Sequence, residues 1–457
     1  MNLIYDVNDK PKFGQLLIFA VQQLLAIMTA TLVVPVVVNQ ATGASMSSAA
    51  ALFGAGLGTL VYVLFTRKKS PVFLGSSFAF IGSMITAFAG GVSMALGYAG
   101  LIIGAVMAGL VYVIIALIVK ASGVAWVDKV MPPVVIGPTV AIIGLSLAGN
   151  AVGDLMKGNV AVEGVPVASE LITVLCGIIT LLVTIISSTY GKKYGKLIPF
   201  IFGILSGYAA CAIFTAIGFA ANLDALKILD VTPFKNLLTD GAITIETFLK
   251  VPDFTFVMAS KGFSEINAAY LGTIAVAYVP VAFVVFAEHI ADHKNISSII
   301  DRDLLREPGL HATLCGDGIG SMVGAFFGGC PNTTYGESVG CVAITRNASV
   351  ATIITAAVLA VIISFVSPFI AFVNSIPSCV MGGVCMALYG FIAVSGLKMV
   401  QKVDLSQNKN LFVVSTILIA GIGGLSLTIG KITITSIACA LILGIIVNLV
   451  VSKAKEE

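Results

Sequence analysis

The sequence predicts an all-α polytopic membrane protein with 14 transmembrane segments, arranged as two inverted 7-segment repeats, with short extended stretches breaking segments 3 and 10. Three observations carry that expectation. Of the 457 residues, 58% are hydrophobic and only 10% charged, with a mean hydropathy of +1.06, far outside the range of water-soluble domains. One long polar connector, residues 219–265, divides the apolar runs seven and seven, and an odd number per half turns the second half upside down relative to the first. Finally, "CPNTTYGESVGCVAITR" (330–346) places a Pro, an Asn, two Thr and a Glu inside the apolar chain, followed by a stretch too short to cross a bilayer.

A spanning helix needs about 20 mostly apolar residues. On that rule the segments fall at 14–38, 45–65, 72–89, 97–119, 131–150, 170–189, 196–218, 266–292, 309–329, 332–345, 348–372, 378–399, 410–427 and 431–451. The first repeat is therefore 1–218 and the second 266–457. In segment 1, Gln22 and Gln23 interrupt the apolar run, either as hydrogen-bonding groups between helices or as neutral donors and acceptors of a site. In segment 3, "VFLGSS" reads as extended, with a half-helix starting near Ser77 or Phe78. In segment 10, Asn332-Thr333-Thr334 opens with cap-forming and β-branched residues, and a half-helix starts near Tyr335. "PVFLGSSFAF" (71–80) and "PNTTYGESVG" (331–340) match in hydroxyl and aromatic placement at the third segment of each half; "PPVVIG" (132–137) and "PSCVMG" (377–382) match at the fifth. Irregular backbone at membrane depth is tolerated only where protein buries it or it lines a cavity. Two facing half-helix N-termini would aim free N–H groups and positive dipole ends at one point, which makes a binding site.

Orientation follows from Lys and Arg, which collect in cytoplasmic loops. With both termini cytoplasmic, every basic residue except Lys157, Lys227, Lys235, Lys250, Lys261 and Lys431 falls on one side, that is 19 of the 25. The net charge of +3 thus reflects topology, and no clustered basic face of the kind that binds nucleic acid is evident. The polar start "MNLIYDVNDKPKF" lacks a cleavage-like site, so no removable signal peptide is expected. The eight Cys are scattered through apolar spans without zinc or disulfide spacing, as small core hydrophobes.

Ionisable residues inside the predicted spans are Glu288, His289 and Asp292 in segment 8, Asp317 in segment 9 and Glu337 in segment 10. An Asp at a helix centre costs about 2.5–3.5 kcal/mol on insertion scales, so five such residues in consecutive segments call for a polar cavity. Glu288 and Asp292 are four apart and share a helical face; the bland alternative ends segment 8 near residue 290 and leaves Asp292 in water. Glu337 sits in the first turn of the half-helix, where a dipole partner or cap is the ordinary role. Asp317 is flanked by glycines at 316, 320, 324 and 328, a close-packing face, and reads as a hydrogen-bond hub or a ligand. His289 points away from the Glu288 face, in a packing or hydrogen-bonding role, and His293 and His311 read as loop residues. A neutral planar imide such as uracil fits this set: ring N–H groups donate to an ionised Glu while half-helix N–H groups donate to its carbonyls, with Phe78 and Tyr335 packing on the ring. An anionic ligand would meet Glu288 and Glu337 without a buried cation to offset them. Three His without metal spacing argue against an intramembrane metalloenzyme, and no cofactor or metal is expected.

At "AEH" (287–289), and above all at "PNTTYGESVGCVAITR" (331–346), the chain resembles the nucleobase/ascorbate transporter (nucleobase:cation symporter 2) family, closest to its bacterial uracil permease branch. "VQQLLAIMTATLVVP" (21–35), "LGSSFAF" (74–80), "RDLLREPGLH" (302–311) and "PSCVMGGVCMALYG" (377–390) extend the resemblance over nearly the whole chain; the segment-10 string is the specific one. The resemblance implies a core from 14–119 and 266–372, a gate from 131–218 and 378–451, and proton-coupled uptake of a small nucleobase across the cytoplasmic membrane by alternating access, often as a homodimer. It places the substrate-binding carboxylate at Glu288, backbone donors at Phe78 and at Gly336 with Glu337, and a second key carboxylate at Glu337. Substrate contacts are further expected at Tyr335, Ser77 and Gln22, proton coupling at Glu337, Asp292 or Glu288, and support from Asp317 and Gln23. Three positions depart from the pattern. The usual segment-1 Gln-His is Gln22-Gln23, the Asn after the segment-10 Glu is Ser338, and the His found four residues after the segment-8 Glu in some uracil permeases is Asp292. An Asp there is similar to the xanthine-carrying branch, so a xanthine or uric acid carrier is the alternative, with an anion transporter on the same scaffold a distant one.

Overall fold

The computed structural model describes residues 3–162, 165–192, 198–238, 242–429 and 432–451. Of the basic residues counted above, Lys193, Lys196, Lys431, Lys453 and Lys455 lie outside them, as do Thr239, Asp240 and Gly241 of the connector. The fold is all-α, as the composition requires. Its main helices are α1 (Phe13–Thr42), α2 (Ser48–Phe65), α3 (Ile81–Ala87), α4 (Met94–Ser122), α5 (Pro133–Ser146), α6 (Ala148–Leu155), α7 (Glu170–Tyr190), α8 (Pro199–Ala221), α9 (Ala268–Ile300), α10 (Leu310–Gly328), α11 (Gly336–Thr345), α12 (Val350–Ile363), α13 (Ser367–Ser375), α14 (Ser378–Val400), α15 (Asn408–Ile422) and α16 (Ser436–Val451). Among the described residues, eight helical stretches are long and apolar enough to cross a membrane: α1, α2, α4, the α5–α6 pair, α7, α8, α9 and α14. The segments expected to be broken are short instead: Phe78–Ala87 is helical over ten residues, and α11 is a ten-residue helix.

Two compact units divide the chain: Met1–Ser146 with Asp253–Val361 and Phe391–Glu457, and Leu147–Pro252 with Ile362–Gly390. In the first, the glycine face of α10 does what its period predicts. A Cβ on Gly320 would stand 2.8 Å from the Gly58 carbonyl oxygen, and one on Gly54 would stand 2.5 Å from that of Gly324, so α2 and α10 approach backbone to backbone, the small-residue packing that replaces hydrophobic drive in lipid. In the second unit, Gly203 and Gly207 of α8 meet Thr184 and Thr180 of α7 in the same way.

Several boundaries differ from expectation, each for a local reason. Segment 8 does not stop near residue 292: α9 runs on to Ile300, where Asp301 takes a left-handed cap. Segment 11 breaks into α12 and α13 because Pro368 at the start of α13 has no N–H to continue a helix. Before α16 the alternating β-branched stretch folds as an antiparallel pair, Leu427–Ile429 with Ile432–Ile434, rather than as the start of a span. Helix α11 ends at Arg346, itself left-handed at φ 55°, and the Arg346 carbonyl accepts from the Ile4 N–H at 2.8 Å.

Candidate functional site

The site is built on a strand crossing. Residues Leu74–Ser76 form β1 and Asn332–Thr334 form β2, and they pair antiparallel with Leu74 opposite Thr334, Gly75 opposite Thr333 and Ser76 opposite Asn332. The Ser77 N–H extends the ladder to the Pro331 carbonyl at 2.9 Å. Two three-residue strands thereby satisfy each other's backbone inside the unit, which is what irregular backbone at membrane depth needs. Each strand then enters a helix: Ser77 is the extended residue before the 3-10 turn Phe78–Phe80 that leads into α3, and Tyr335 caps α11 from an extended conformation. The half-helix starts expected from the sequence are therefore where the Gly-Ser-Ser and Asn-Thr-Thr strings put them. Tyr335 locks the crossing, because its OH donates to the Ser76 carbonyl at 2.6 Å and its ring lies over Gly75, where a Cβ would stand 2.4 Å from it. Only glycine fits at 75.

Helix α9 brings the carboxylates to this crossing. The Thr334 hydroxyl donates to Asp292 Oδ2 at 2.8 Å, tying β2 to α9 one turn past Glu288. Glu288 is half-buried, one turn before Asp292 on the same helix. Gly336, first residue of α11, is exposed among the buried residues Pro331–Tyr335. A Cβ there would meet only Asp292 Oδ1, at 3.9 Å. The reading in which Asp292 simply meets water beyond a helix end is thus overturned, since the helix continues for two more turns and the carboxylate is engaged. From α1, buried Gln23 donates through Nε2 to Ser338 Oγ at 2.6 Å, and the same oxygen accepts from the Phe73 N–H at 2.9 Å, so one hydroxyl joins α1, α11 and the approach to β1. Gln22 is half-buried, and its Oε1 has no partner among the described residues. Phe78 and Ser77 are buried at the first half-helix.

Behind Glu288 lies a network the sequence only partly disclosed. His289 Nδ1 is 2.6 Å from Asp317 Oδ2 and Nε2 is 3.0 Å from Thr313 Oγ1. Asp317 is thus tied to α9 through one carboxylate oxygen. His293, expected in a loop, is fully buried on α9, with Nδ1 donating to the His289 carbonyl at 2.8 Å. Since a carbonyl only accepts, the proton of His293 sits on Nδ1, and Nε2 accepts from the Tyr62 OH at 2.7 Å; Ser70 Oγ lies 2.7 Å from the same phenol. Asp317 Oδ1, Tyr112 OH and Asn332 Oδ1 have no partner among the described residues, and all three residues line one cavity of about 10 Å³ with Phe80, Val285 and Ser321, room for about one water. The signal that finds His293 is the spacing 289, 293, 296, 300: all four positions are buried and form one face of α9. No cluster of His, Cys, Asp or Glu able to hold a metal occurs among the described residues.

What this arrangement can do is hold a small polar ligand between acidic side chains and backbone donors, in a helical bundle made for lipid. Comparison with known proteins agrees in kind. A family-wide model described as a permease family matches residues 14–430. The uracil permease of Bacillus subtilis (strain 168) is 38% identical over 459 residues, covering 99% of this chain and 96% of the relative. The uracil permease of Escherichia coli (strain K12) is 35% identical over 446 residues, covering 97% and 93%. Among solved structures, the transmembrane domain of the cyanobacterial bicarbonate transporter BicA aligns with a TM-score of 0.57 at 15% identity, over 97% of this chain and 100% of that one, which speaks to the shared inverted-repeat fold alone. With the strand crossing, the acidic face and a match over nearly the full length all in agreement, the chain belongs to the nucleobase/ascorbate transporter family of membrane permeases.

Proposed function

We propose that the protein takes up uracil across the cytoplasmic membrane as a proton-coupled symporter working by alternating access. The observation that supports this is the β1–β2 crossing, which leads into half-helix starts at Phe78 and Gly336 and is bonded through Thr334 to Asp292 of α9, one turn past Glu288. A uracil ring offers N–H donors flanked by carbonyl acceptors. Glu288 accepts from the ring, and the N–H groups opening the half-helices donate to the oxygens, a charge-assisted arrangement stronger than a neutral one. Phe78 supplies an apolar surface for the ring, with Tyr335, Ser77, Gln22 and Glu337 completing the surroundings. Glu337 or Asp292 carries the coupling proton. The names of the relatives support uracil, and the asymmetry of Lys and Arg supports cytoplasmic termini. In this reading the core segments move against the gate segments, in a monomer or a homodimer.

The test is uptake of labelled uracil by proteoliposomes with an imposed pH gradient. Accumulation that collapses when the gradient is dissipated supports the reading; indifference to the gradient removes proton coupling. One observation favours a second substrate class: Asp292 stands where some uracil permeases carry His, a departure shared with xanthine carriers. Strong competition of labelled-uracil uptake by unlabelled xanthine would move the assignment to purines.

A further inference from the structure

Away from the strand crossing, the ends of α2, α4 and α10 frame a second concave feature, a pocket of about 340 Å³ lined by Phe65, Arg67, Ala116, Leu117, Lys120, Pro308, His311, Ala312 and Cys315. That volume is within the range of small-molecule sites. Its polar side chains are one-sided. Arg67 follows the last turn of α2, Lys120 lies in the last turn of α4 and His311 opens α10; no Asp or Glu is among the residues lining it. Arg67 and Lys120 are exposed and make no ion pair among the described residues. Glu307, next to Pro308 in the chain, is engaged by Lys69 at 2.5 Å. Lys120 and Cys315, which lies one turn along α10 from His311, line the pocket together.

The other half of the pocket is apolar and continuous with the outer surface of the bundle. Phe65 and Leu117 line it, and the exposed face of α4 continues through Leu110, Ile114 and Ile118. Cations gathered where α2 and α4 end and α10 begins, beside an exposed apolar lane along α4, match a molecule with a phosphate at one end and hydrocarbon at the other. A free anion would use the first feature and leave the second without purpose. Basic pockets between helices at the membrane surface are suited to anionic head groups, and long cationic side chains reach the interface while their stems stay in apolar surroundings.

We propose that this pocket binds the phosphate head group of an anionic phospholipid, with Arg67 and Lys120 neutralising the phosphate, His311 hydrogen-bonding to it, and an acyl chain lying along α4 beside Leu117 and Ile114. Arg67 serves as a bidentate donor and Lys120 as a point charge. The inference is independent of which substrate the protein carries.

A ligand that binds only the folded protein raises its unfolding midpoint, so thermal unfolding of the purified full-length protein in detergent reads the site. Phosphatidylglycerol, phosphatidylcholine and inorganic phosphate are added at equal concentration to the wild type, to Arg67→Gln/Lys120→Gln, and to Lys398→Gln/Lys402→Gln as a control for surface charge elsewhere. The expected result is a rise with phosphatidylglycerol alone, reduced by roughly half or more in the Arg67/Lys120 variant and kept in the control. Native mass spectrometry of the same samples counts retained phosphatidylglycerol, with fewer molecules bound to the Arg67/Lys120 variant even where its own midpoint has moved. An equal rise with phosphatidylcholine, an equal rise with inorganic phosphate, an undiminished rise in the Arg67/Lys120 variant, or an equal loss in the control would each overturn the proposal.

Discussion

The two broken spans are the same device with different chemistry. In the first half, β1 leads through Ser77 into Phe78–Phe80, and every residue from Pro71 to Phe80 is buried and uncharged. In the second, β2 leads through Tyr335 into a helix whose first two residues are an exposed Gly336 and the half-buried Glu337, with Asp292 and Glu288 of α9 beside it. Inverted repetition thus supplies the geometry twice, while the acidic groups are placed once. The first broken span gives the strand crossing buried, uncharged residues, and the second gives it Glu337.

The sharpest way to break that comparison is Glu288→Ala, which should abolish uptake of labelled uracil while leaving membrane insertion and yield intact; retained uptake would put the chemistry elsewhere. Next come paired glycine substitutions, one in each broken span. Gly75→Ala drives a Cβ into the Tyr335 ring, an overpacking that costs about 1–3 kcal/mol and should lower the thermal midpoint. Gly336→Ala meets only Asp292 Oδ1, at 3.9 Å, and should hold its midpoint close to wild type; similar losses in the two would erase the asymmetry. Ser338→Ala removes the shared acceptor of Gln23 and Phe73, both buried, and leaving those donors unsatisfied should cost about 1–3 kcal/mol, seen as a shift in the same scan. Smallest is Lys69→Gln. The Lys69 ammonium holds the exposed Glu307 carboxyl below its usual range; an acid lowered in this way stabilises the fold above its unfolded value and loses that contribution as pH falls through the folded one. The variant should therefore scan like wild type at neutral pH, where an exposed pair contributes little, and differ even less in acid.

Much of this was legible in the residues. Pro331 followed by Asn-Thr-Thr, then Gly and Glu, specifies an extended stretch and a helix start with local chemistry alone, and Gly75 with Ser76 and Ser77 does the same less loudly. The spacing of Glu288 and Asp292 likewise fixes a shared face. Register and partnership were not legible: that Leu74 faces Thr334, or that Tyr62 closes on His293, depends on packing between segments hundreds of residues apart. His293 lies beyond the stretch of about 20 residues that a span requires, yet α9 runs for 33 residues and carries it inside. At Leu427–Ile429 and Ile432–Ile434 the apolar character suggests spans, while the alternation of β-branched residues forms the strand pair.

The measurement closest to the central claim is an experimental structure of the protein with uracil bound. The account predicts the ring lying beside Phe78, its N–H groups toward the Glu288 carboxylate and its carbonyl oxygens toward the N–H groups that open the half-helices at Phe78 and Gly336. Uracil seated away from the β1–β2 crossing, or Glu288 turned from the ring, would contradict it.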